Sequence, residues 1–444
     1  EFLLFLINFN SQAEKTITTQ VEINLTNNYG CVSKPKNERY MLNISRFFYR
    51  LYHLGLKLTI NVLPPPSPML FKGDNALQSL ITDIKLNRLN RLLLVTDKQI
   101  HSLGLHRELA DQLAKQAITT ELYSDVEPNN PIHSIEQALS HYQQTQCQGV
   151  ICLGGGSVMD CGKLVAARIA RPDKTTVQLK GLFKIRRQLP PVYAIPTTAG
   201  TGSETTVAAV AFDPIAKQKF AVTDLCLCPR AAVLLPELTY DLPPQITAHT
   251  GMDALTHAIE AYLGIIGTDF TRQKSLNACS LIFANLLPAY EQGRSHQYRE
   301  NMLLASFYAG EAFTRASVGY VHAIAHSLGG YYGTAHGLAN AIVLPKVLRW
   351  YGPAVEDKLA ALAEHCQIGV SKTSSAAKAR AFIEAIEALN QQMAIPAGLA
   401  ELDPKDIPSL AKQALKEAHP EYPVPKFMDL NSCEKLLKSL LMAQ

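Results

Sequence analysis

Residues 149–169, GVICLGGGSVMDCGKLVAARI, decide the fold of the N-terminal half of this chain. They predict a short apolar strand at 149–153, a turn of three glycines and a helix at 157–169. Glycines between a strand and a helix let the backbone approach an anionic group, and the helix N-terminus supplies free N–H donors. The turn therefore suits a pyrophosphate. It lacks the Gly-x-Gly-x-x-Gly fingerprint, so a tight turn without a ligand stays as the alternative.

The same alternation of strand and helix surrounds this unit. Further elements are predicted as strands at 92–96, 119–123 and 192–195 and as helices at 105–117 and 132–142. Repeated alternation implies a parallel sheet with right-handed crossovers. β-Branched segments on both sides of Asp213-Pro214 predict a hairpin.

The character of the chain changes after Pro243-Pro244. Long alanine- and leucine-rich segments there predict helices, for example at 274–287, 301–312 and 376–393. We therefore expect an α/β N-terminal dinucleotide-binding domain with a Rossmann-like parallel sheet, followed by an all-α C-terminal metal-binding domain. The predicted divisions are an extension at 1–40, a helix at 41–63, the α/β domain at 64–240 and the helical domain at 241–444.

Composition narrows the classes of protein. At 444 residues, with 47% hydrophobic and 18% charged residues, the chain is long enough for two folded domains. A formal charge of +4 with dispersed basic residues gives no sign of nucleic-acid binding. Nine scattered cysteines indicate reduced thiols in the cytoplasm, and no apolar run reaches the roughly 20 residues of a transmembrane segment.

The N-terminal region is unusual. Residues 1–40 show little periodicity, and we expect Met41 to be the natural start. No Asp or Glu occurs from Met41 to Gly73, while Arg46, Arg50 and Lys57 alternate with apolar residues. This pattern predicts a basic amphipathic helix, which suits a mitochondrial presequence, a membrane-surface anchor or a docking helix. A helix packed on its own domain is the plainer alternative.

Two stretches carry a metal-binding pattern, GMDALTHAIE at 251–260 and the histidine-rich run at 321–340. Side chains four residues apart on a helix lie on one face, one turn above the other. One carboxylate with imidazoles suits Fe²⁺ or Zn²⁺, and such an ion acts as a Lewis acid toward a substrate oxygen. The candidate ligands are Asp253, His257, His322, His326 and His336.

Other polar residues follow the predicted strands. Asp97 ends the strand at 92–96, where a carboxylate accepts hydrogen bonds from ribose hydroxyls and disfavours a 2′-phosphate, although capping a helix explains it as well. Threonines at 197, 198, 201, 205 and 206 supply hydroxyls to a loop. Asp160 stabilises the start of a helix even without a ligand.

These motifs resemble the iron-containing (group III) alcohol dehydrogenases, over residues 65–444. The resemblance is carried by GGGS at 154–157 with Asp160 and Lys163, PTTAGTGSE at 196–204, GMDALTHAIE at 251–260 and the closing histidine region. It implies an architecture shared with dehydroquinate synthases, with a metal in the cleft between two domains. It assigns the metal ligands to Asp253, His257, His322 and His336. It places His326 near the nicotinamide as a proton relay or a substrate-orienting group.

The resemblance also implies the contacts of the NAD cofactor. They fall on Asp97, Asn129, Gly155, Gly156, Ser157, Asp160, Thr197, Thr198, Thr201, Thr206, Lys219 and Leu238. One motif departs from the family, because His336 follows Ala335 where a proline is usual. The variable loop at 329–334 leaves the specificity undecided.

We therefore expect a metal-dependent, NAD-linked alcohol dehydrogenase or aldehyde reductase that acts on a small primary alcohol or diol. It would work as a homodimer or a higher homo-oligomer, without nucleic acid or a transmembrane segment. The alternatives are a non-redox cyclase related to dehydroquinate synthase and a catalytically silent module that keeps the fold.

Overall fold

The computed structural model describes residues 34–442, with side chains from residue 45 onward. Most of the extension predicted at 1–40 lies outside the described residues. Helix α1 (Lys34–Val62) begins before residue 41, so it is longer at its start than the predicted helix. It ends just before Pro64-Pro65-Pro66, since a residue that precedes proline is disfavoured in the α conformation. None of the helices in the described part is long and apolar enough to cross a membrane.

The N-terminal half is the predicted α/β domain. Its strands are β1 (Met69–Phe71), β2 (Arg91–Asp97), β3 (Thr119–Val126), β4 (Gly149–Gly154), β5 (Gly181–Leu182), β6 (Val192–Pro196), β7 (Ala208–Asp213), β8 (Gln218–Thr223) and β9 (Ala231–Val233). Its helices are α2 (Ala76–Leu86), α3 (Lys98–Ser102), α4 (Arg107–Ala114), α5 (Ile132–Gln144) and α6 (Gly156–Ala170).

Six strands form one parallel sheet in the order β1-β9-β6-β4-β2-β3. Successive residues of β2 and β4 point to opposite faces, and each face has its own buried core. Leu93 and Val150 belong to one core, and Leu94 and Ile151 belong to the other. Burial on both sides explains the nearly continuous apolar runs of these strands.

The order of the strands creates a crevice at the carboxyl ends of the central strands β2 and β4. The chain leaves β2 toward β3 and leaves β4 toward β6, in opposite directions. Ligands of open α/β sheets bind at such a switch point, outside the carboxyl ends of the strands. Asp97 ends β2 and Gly154 ends β4, so the glycine turn lies at the expected place.

The predicted hairpin is confirmed, because β7 and β8 pair antiparallel in a small second sheet. Two strands of three residues, β1 and β9, and helix α2 were not predicted. The helix predicted at 105–117 is confined to α4, and the strand predicted at 119–123 continues as β3 to Val126.

The C-terminal half is entirely helical among the described residues, apart from one isolated bridge between Leu399 and Leu441. Its helices are α7 (Pro244–Leu263), α8 (Asp269–Glu291), α9 (His296–Ala316), α10 (Tyr320–Tyr332), α11 (His336–Tyr351), α12 (Glu356–His365), α13 (Ser375–Gln392), α14 (Ile407–Ala418) and α15 (Leu430–Lys438). The helix predicted at 274–287 continues through Pro288, because Leu286 and Ala289 are fully buried on both sides of it.

An ion pair between the buried Asp83 and the partly exposed Arg230 fastens α2 to the sheet. Arg230 donates from Nε and Nη2 to the carboxylate of Asp83, at 2.6 and 2.8 Å, and Tyr193 donates its hydroxyl at 2.8 Å. The side-chain hydrogen bond from Arg230 lowers the pKa of Asp83 below its ordinary value. The pair therefore stabilises the fold at pH values at which this carboxyl group is ionised.

We predict that Asp83→Asn lowers the free energy of unfolding by about 2–3 kcal/mol at neutral pH, because Arg230 loses its buried partner. The folded-state pKa is depressed, so the stabilisation is complete above the ordinary carboxyl pKa and is lost as the pH falls through the depressed value. Denaturant unfolding at neutral and acidic pH should show the two proteins converging in acid. Asp111→Asn on the exposed face of α4 is the control, and a gap that does not depend on pH would contradict the prediction.

Candidate functional site

Four side chains from three helices meet in the helical domain. Asp253 and His257 lie one turn apart on α7, His322 lies in the first turn of α10, and His336 is the first residue of α11. One potential ligand atom from each lies within 4.8 Å of the other three. Three of the side chains are buried, and His336 remains 40% exposed. We call these four side chains the cage. It is enclosed by protein on most sides and is open to solvent at His336.

Two glycines shape the chain around His336. Gly333 ends α10 in the left-handed conformation, with φ 72°, and this turn lets α11 begin three residues later. A Cβ atom on Gly337 would lie 2.2 Å from the carbonyl oxygen of His249 on α7. Only glycine at 337 therefore lets the start of α11 approach α7 closely enough for His336 to reach Asp253.

One oxygen atom is the centre of the cluster. Oδ1 of Asp253 lies 3.3 Å from Nε2 of His336, 3.7 Å from Nε2 of His322 and 3.9 Å from Nδ1 of His257. Asn340, which is fully buried one turn after His336, donates from Nδ2 to the same oxygen at 2.7 Å. Asn340 was not predicted, although its position four residues after His336 places it on the same face of α11.

The electrostatics of the cluster fit a divalent cation. Burial alone would raise the pKa of Asp253, but the imidazoles of His257 and His336 hold it well below its ordinary value. Burial lowers the pKa of His257 to about 3, so this imidazole is neutral. Its Nδ1 atom is buried and has no hydrogen-bond partner. An unpartnered buried acceptor is costly, and a metal ion beside the carboxylate would satisfy it.

Glu260 supports the cage from the next turn of α7. Its carboxylate accepts hydrogen bonds at 2.7 Å from the backbone N–H groups of Gly319 and Val321 and from Nδ1 of His322. Burial alone would lower the pKa of His322, but the bonds to Asp253 and Glu260 raise it to about 9. A carboxylate behind a histidine fixes its tautomer and turns the other nitrogen toward a metal. This role was not predicted from the sequence, although Glu260 ends the quoted GMDALTHAIE motif.

His326 lies beside the cage, outside the group of four. Its ring stacks on that of His336, with 5.0 Å between the centroids, and its side chain is 43% exposed. Nδ1 lies 2.6 Å from Oε1 of Glu417 on α14, which also accepts the hydroxyl of Tyr422. Glu417 therefore orients the ring and leaves Nε2 as the free acceptor. Glu417 was not predicted, because it lies 91 residues away from His326 along the chain.

The predicted cofactor residues divide into two groups. One group lines the crevice at the carboxyl end of β4. Gly155 precedes α6, which begins with Gly156 and Ser157. A Cβ atom on Gly155 would lie 3.7 Å from Oγ1 of Thr198, and one on Gly156 would lie 3.2 Å from Thr201. The glycine turn and the threonine loop after β6 thus face each other.

The second group makes contacts within the protein. Asp97 caps α3 through the backbone N–H of Ile100, and Lys219 donates to Oδ1 of Asn129 at 2.6 Å. Asp160 accepts from Ser203 and from the backbone of Val210, which satisfies its carboxylate.

Three other predicted positions belong to this second group. Thr206 accepts from the buried ammonium group of Lys163 at 2.8 Å. The backbone N–H of Thr197 donates to the carbonyl of Gly154, and Leu238 is partly buried against the sheet.

The threonine loop also contacts the cage. The ring of His257 interacts with the backbone of Gly200, and Phe313 of α9 stacks on this ring with 4.2 Å between the centroids. Cβ atoms on Gly202 and Gly310 would collide with the opposite backbone, at 2.7 and 3.0 Å. Glycine at both positions therefore lets the threonine loop pack directly on α9, the helix whose Phe313 stacks on His257.

Comparisons with known proteins agree with this arrangement. The sequence model of the iron-containing alcohol dehydrogenases matches residues 66–236, and that of the C-terminal part of the same family matches residues 247–441. The chain is 36% identical to 1,3-propanediol dehydrogenase of Klebsiella pneumoniae, covering 79% of this chain and 91% of that protein. It is 34% identical to the NAD-dependent methanol dehydrogenase of Bacillus methanolicus, covering 80% and 93%. A crystal structure of 1,3-propanediol oxidoreductase superposes with a TM-score of 0.81 at 33% identity, covering 84% and 98%.

The fold and these relatives define the class of NAD-linked oxidoreductases that act on alcohol groups. Within that class the chain belongs to the iron-containing alcohol dehydrogenase family, because the two sequence models together match both of its halves. The predicted family, fold class and type of enzyme are confirmed. The comparisons do not support the alternative of a non-redox cyclase.

We predict that Glu260→Gln weakens binding of a divalent metal by about 10–100-fold, because an amide nitrogen would replace one of the oxygens that accept from His322 and the two backbone N–H groups. Competition with a chelator measures the affinity. Glu384→Gln on the exposed face of α13 is the matched control. Unchanged metal affinity in the Glu260 variant would show that this carboxylate does not support the cage.

We also predict that Gly310→Ala lowers kcat/KM for alcohol oxidation by about 10–100-fold, because the loop carrying Gly202 must move away from α9. Gly330→Ala adds the same methyl group where the nearest atom lies 3.8 Å away, and it should have little effect. Steady-state kinetics with NAD check both variants. Equal rates in the two would rule out the close contact as a determinant of activity.

Proposed function

We propose that the chain transfers a hydride between the carbinol carbon of a small primary alcohol or diol and the nicotinamide of NAD. The observation that carries the proposal is the contact between the two predicted sites. Gly200, in the loop that faces the glycine turn, packs against Thr250 of α7 and interacts with the ring of His257 in the cage. A substrate held at the cage is thus adjacent to a cofactor held at the switch point of the sheet. Relatives named as propanediol and methanol dehydrogenases support small alcohols as substrates.

In this proposal Asp253, His257, His322 and His336 hold Fe²⁺, and Zn²⁺ fits the same donors. The bound ion supplies a Lewis acid that polarises the alcohol or carbonyl oxygen. Glu260 keeps Nε2 of His322 directed at Asp253, and Phe313 holds the ring of His257 by stacking. His336 is the exposed member of the cage, and a substrate enters from its side.

The cofactor contacts are proposed at the predicted positions, namely Asp97, Asn129, Gly155, Gly156, Ser157, Asp160, Thr197, Thr198, Thr201, Thr206, Lys219 and Leu238. The N-terminus of α6 favours the pyrophosphate, because the N–H groups of Gly156 and Ser157 begin the helix and have no carbonyl partner within it. A carboxylate at the end of β2 favours NAD over NADP. The methanol dehydrogenase relative is named as NAD-dependent, and a structural neighbour at 26% identity and a TM-score of 0.77 was solved with NAD⁺.

His326 is proposed as the group that receives the proton of the alcohol. Glu417 accepts the Nδ1 proton of the ring, so Nε2 is the atom at which a second proton binds. The exposure of the side chain lets the proton pass on to solvent. Loss of Glu417 would free the ring to rotate away from the cleft.

Three further features belong to the proposal. The enzyme works as a homodimer or a larger homo-oligomer in the cytoplasm, and its domains divide near residue 240. The eight cysteines of the described residues are all free thiols, which supports a reducing compartment. The strands end at Val233 and the long helices begin at Pro244, which supports the position of the division.

The decisive test combines metal analysis with turnover. Protein loaded with Fe²⁺ or Zn²⁺ should reduce NAD with small alcohols or diols and oxidise NADH with the matching aldehydes. His336→Ala should lose metal and lower kcat/KM by more than about 100-fold, since losing a ligand costs more than losing a supporting hydrogen bond. His365→Ala, at the exposed end of α12, should retain both. Absence of turnover in metal-loaded protein would overturn the activity, and full metal content in His336→Ala would overturn the ligand set.

A further inference from the structure

The outer face of α1 carries a row of exposed apolar side chains. Phe47, Leu51, Leu54, Leu58 and Val62 are 66%, 53%, 53%, 56% and 84% exposed. Their spacing of four, three, four and four residues places them along one side of the helix. Scattered exposed apolar residues are common on protein surfaces, but a continuous row of large ones marks an interaction surface. We call these five residues the apolar row.

The opposite face of α1 is fastened to the helical domain, which fixes the direction of the apolar row. Arg50 donates to the carbonyls of Val424 and Pro425 at 2.7 and 2.9 Å, and its guanidinium lies 4.2 Å from the ring centroid of Phe427. His53 is 1% exposed, with Nε2 at 2.7 Å from the carbonyl of Pro420. The helix therefore cannot turn to bury the apolar row against its own domain without breaking these contacts.

The charge beside the apolar row is positive. No Asp or Glu occurs from Met41 to Gly73, and Arg46 and Lys57 lie half-exposed along one flank of the row. Lys426 is exposed next to the carbonyl that Arg50 contacts. Apart from Glu38 on the helix itself, two carboxylates among the described side chains interact with α1. They face its docked side, where Asp429 interacts with Arg46 and Glu421 with Tyr52.

Other properties of the chain separate α1 from the catalytic unit. The family sequence models begin at residue 66, after α1 has ended. The helix is not apolar enough to cross a membrane. A second copy of the helix would bring like charge against it, because α1 carries six basic residues and a single acidic one, Glu38. An anionic surface, by contrast, complements both the apolar row and the charge.

We propose that α1 docks the enzyme on an anionic lipid surface. The helix lies in the plane of the membrane, the apolar row enters the boundary between headgroups and acyl chains, and Arg46 and Lys57 contact the phosphates. Arg50 and His53 hold the catalytic domains on the aqueous side. The proposal concerns where the enzyme works and does not depend on which alcohol it oxidises.

Flotation of the full-length, metal-loaded enzyme with vesicles tests the proposal. We expect binding to vesicles of phosphatidylcholine mixed with phosphatidylglycerol, weaker binding to phosphatidylcholine alone, and a decrease with added salt. The double variant Leu51→Asp with Leu58→Asp should bind the anionic vesicles at least about tenfold less tightly. Ile215→Asp is the matched control, because Ile215 is 94% exposed at the tip of the hairpin, outside α1.

A second variant tests the role of charge. Lys57→Gln should weaken binding to the anionic vesicles about fivefold and leave binding to neutral vesicles unchanged. Alcohol oxidation without vesicles should be the same in all variants, which shows that they are folded and separates this proposal from the proposed function. The proposal is overturned if the enzyme does not bind vesicles or binds neutral and anionic vesicles equally. It is also overturned if substitutions in the apolar row change only the oligomeric state.

Discussion

Two carboxylates buried on one face of α7 constrain the architecture of the helical domain. Asp253 and Glu260 are 2% and 6% exposed and lie two helical turns apart. An ionised carboxylate is tolerated inside a protein only when charges or hydrogen bonds compensate it. Glu260 is satisfied by the backbone at the start of α10 and by His322. Asp253 is surrounded by imidazoles, and a divalent ion among them would neutralise the charge of the two carboxylates. The positions of α10 and α11 both follow from this requirement.

The cage can take part in hydride transfer only because the α/β domain contacts it. Hydride transfer needs the donor and acceptor carbons in contact, so small displacements between the domains are costly. Glycine keeps the two domains close together, as at Gly202 and Gly310, where a methyl group would separate the backbones. Gly200 of the candidate cofactor loop packs against Thr250 of α7 and interacts with the candidate ligand His257. The two sites are therefore in direct contact.

The sequence predicted the elements whose pattern is visible in residues that are close together along the chain. The long buried strands and the helical half were predicted because apolar periodicity is local. Strands β1 and β9 were missed because three residues are too few to show a period. Residue spacing gave five candidate ligands, and the structure gathers four of them, in agreement with the family pattern. Glu417 was missed because its contact with His326 is created by packing between α10 and α14, which no spacing encodes.

The segment from Glu417 to Phe427 connects the active cleft with α1. At one end Glu417 orients His326, and further along the segment His419 pairs with the hydroxyl of Tyr320, which precedes His322 by two residues. At the other end Pro420, Val424 and Pro425 offer their carbonyls to His53 and Arg50. A helix outside the family sequence models is thus fastened to the same segment that positions a proposed proton acceptor. These hydrogen bonds fasten α1 to the helical domain, although the family sequence models begin after the helix has ended.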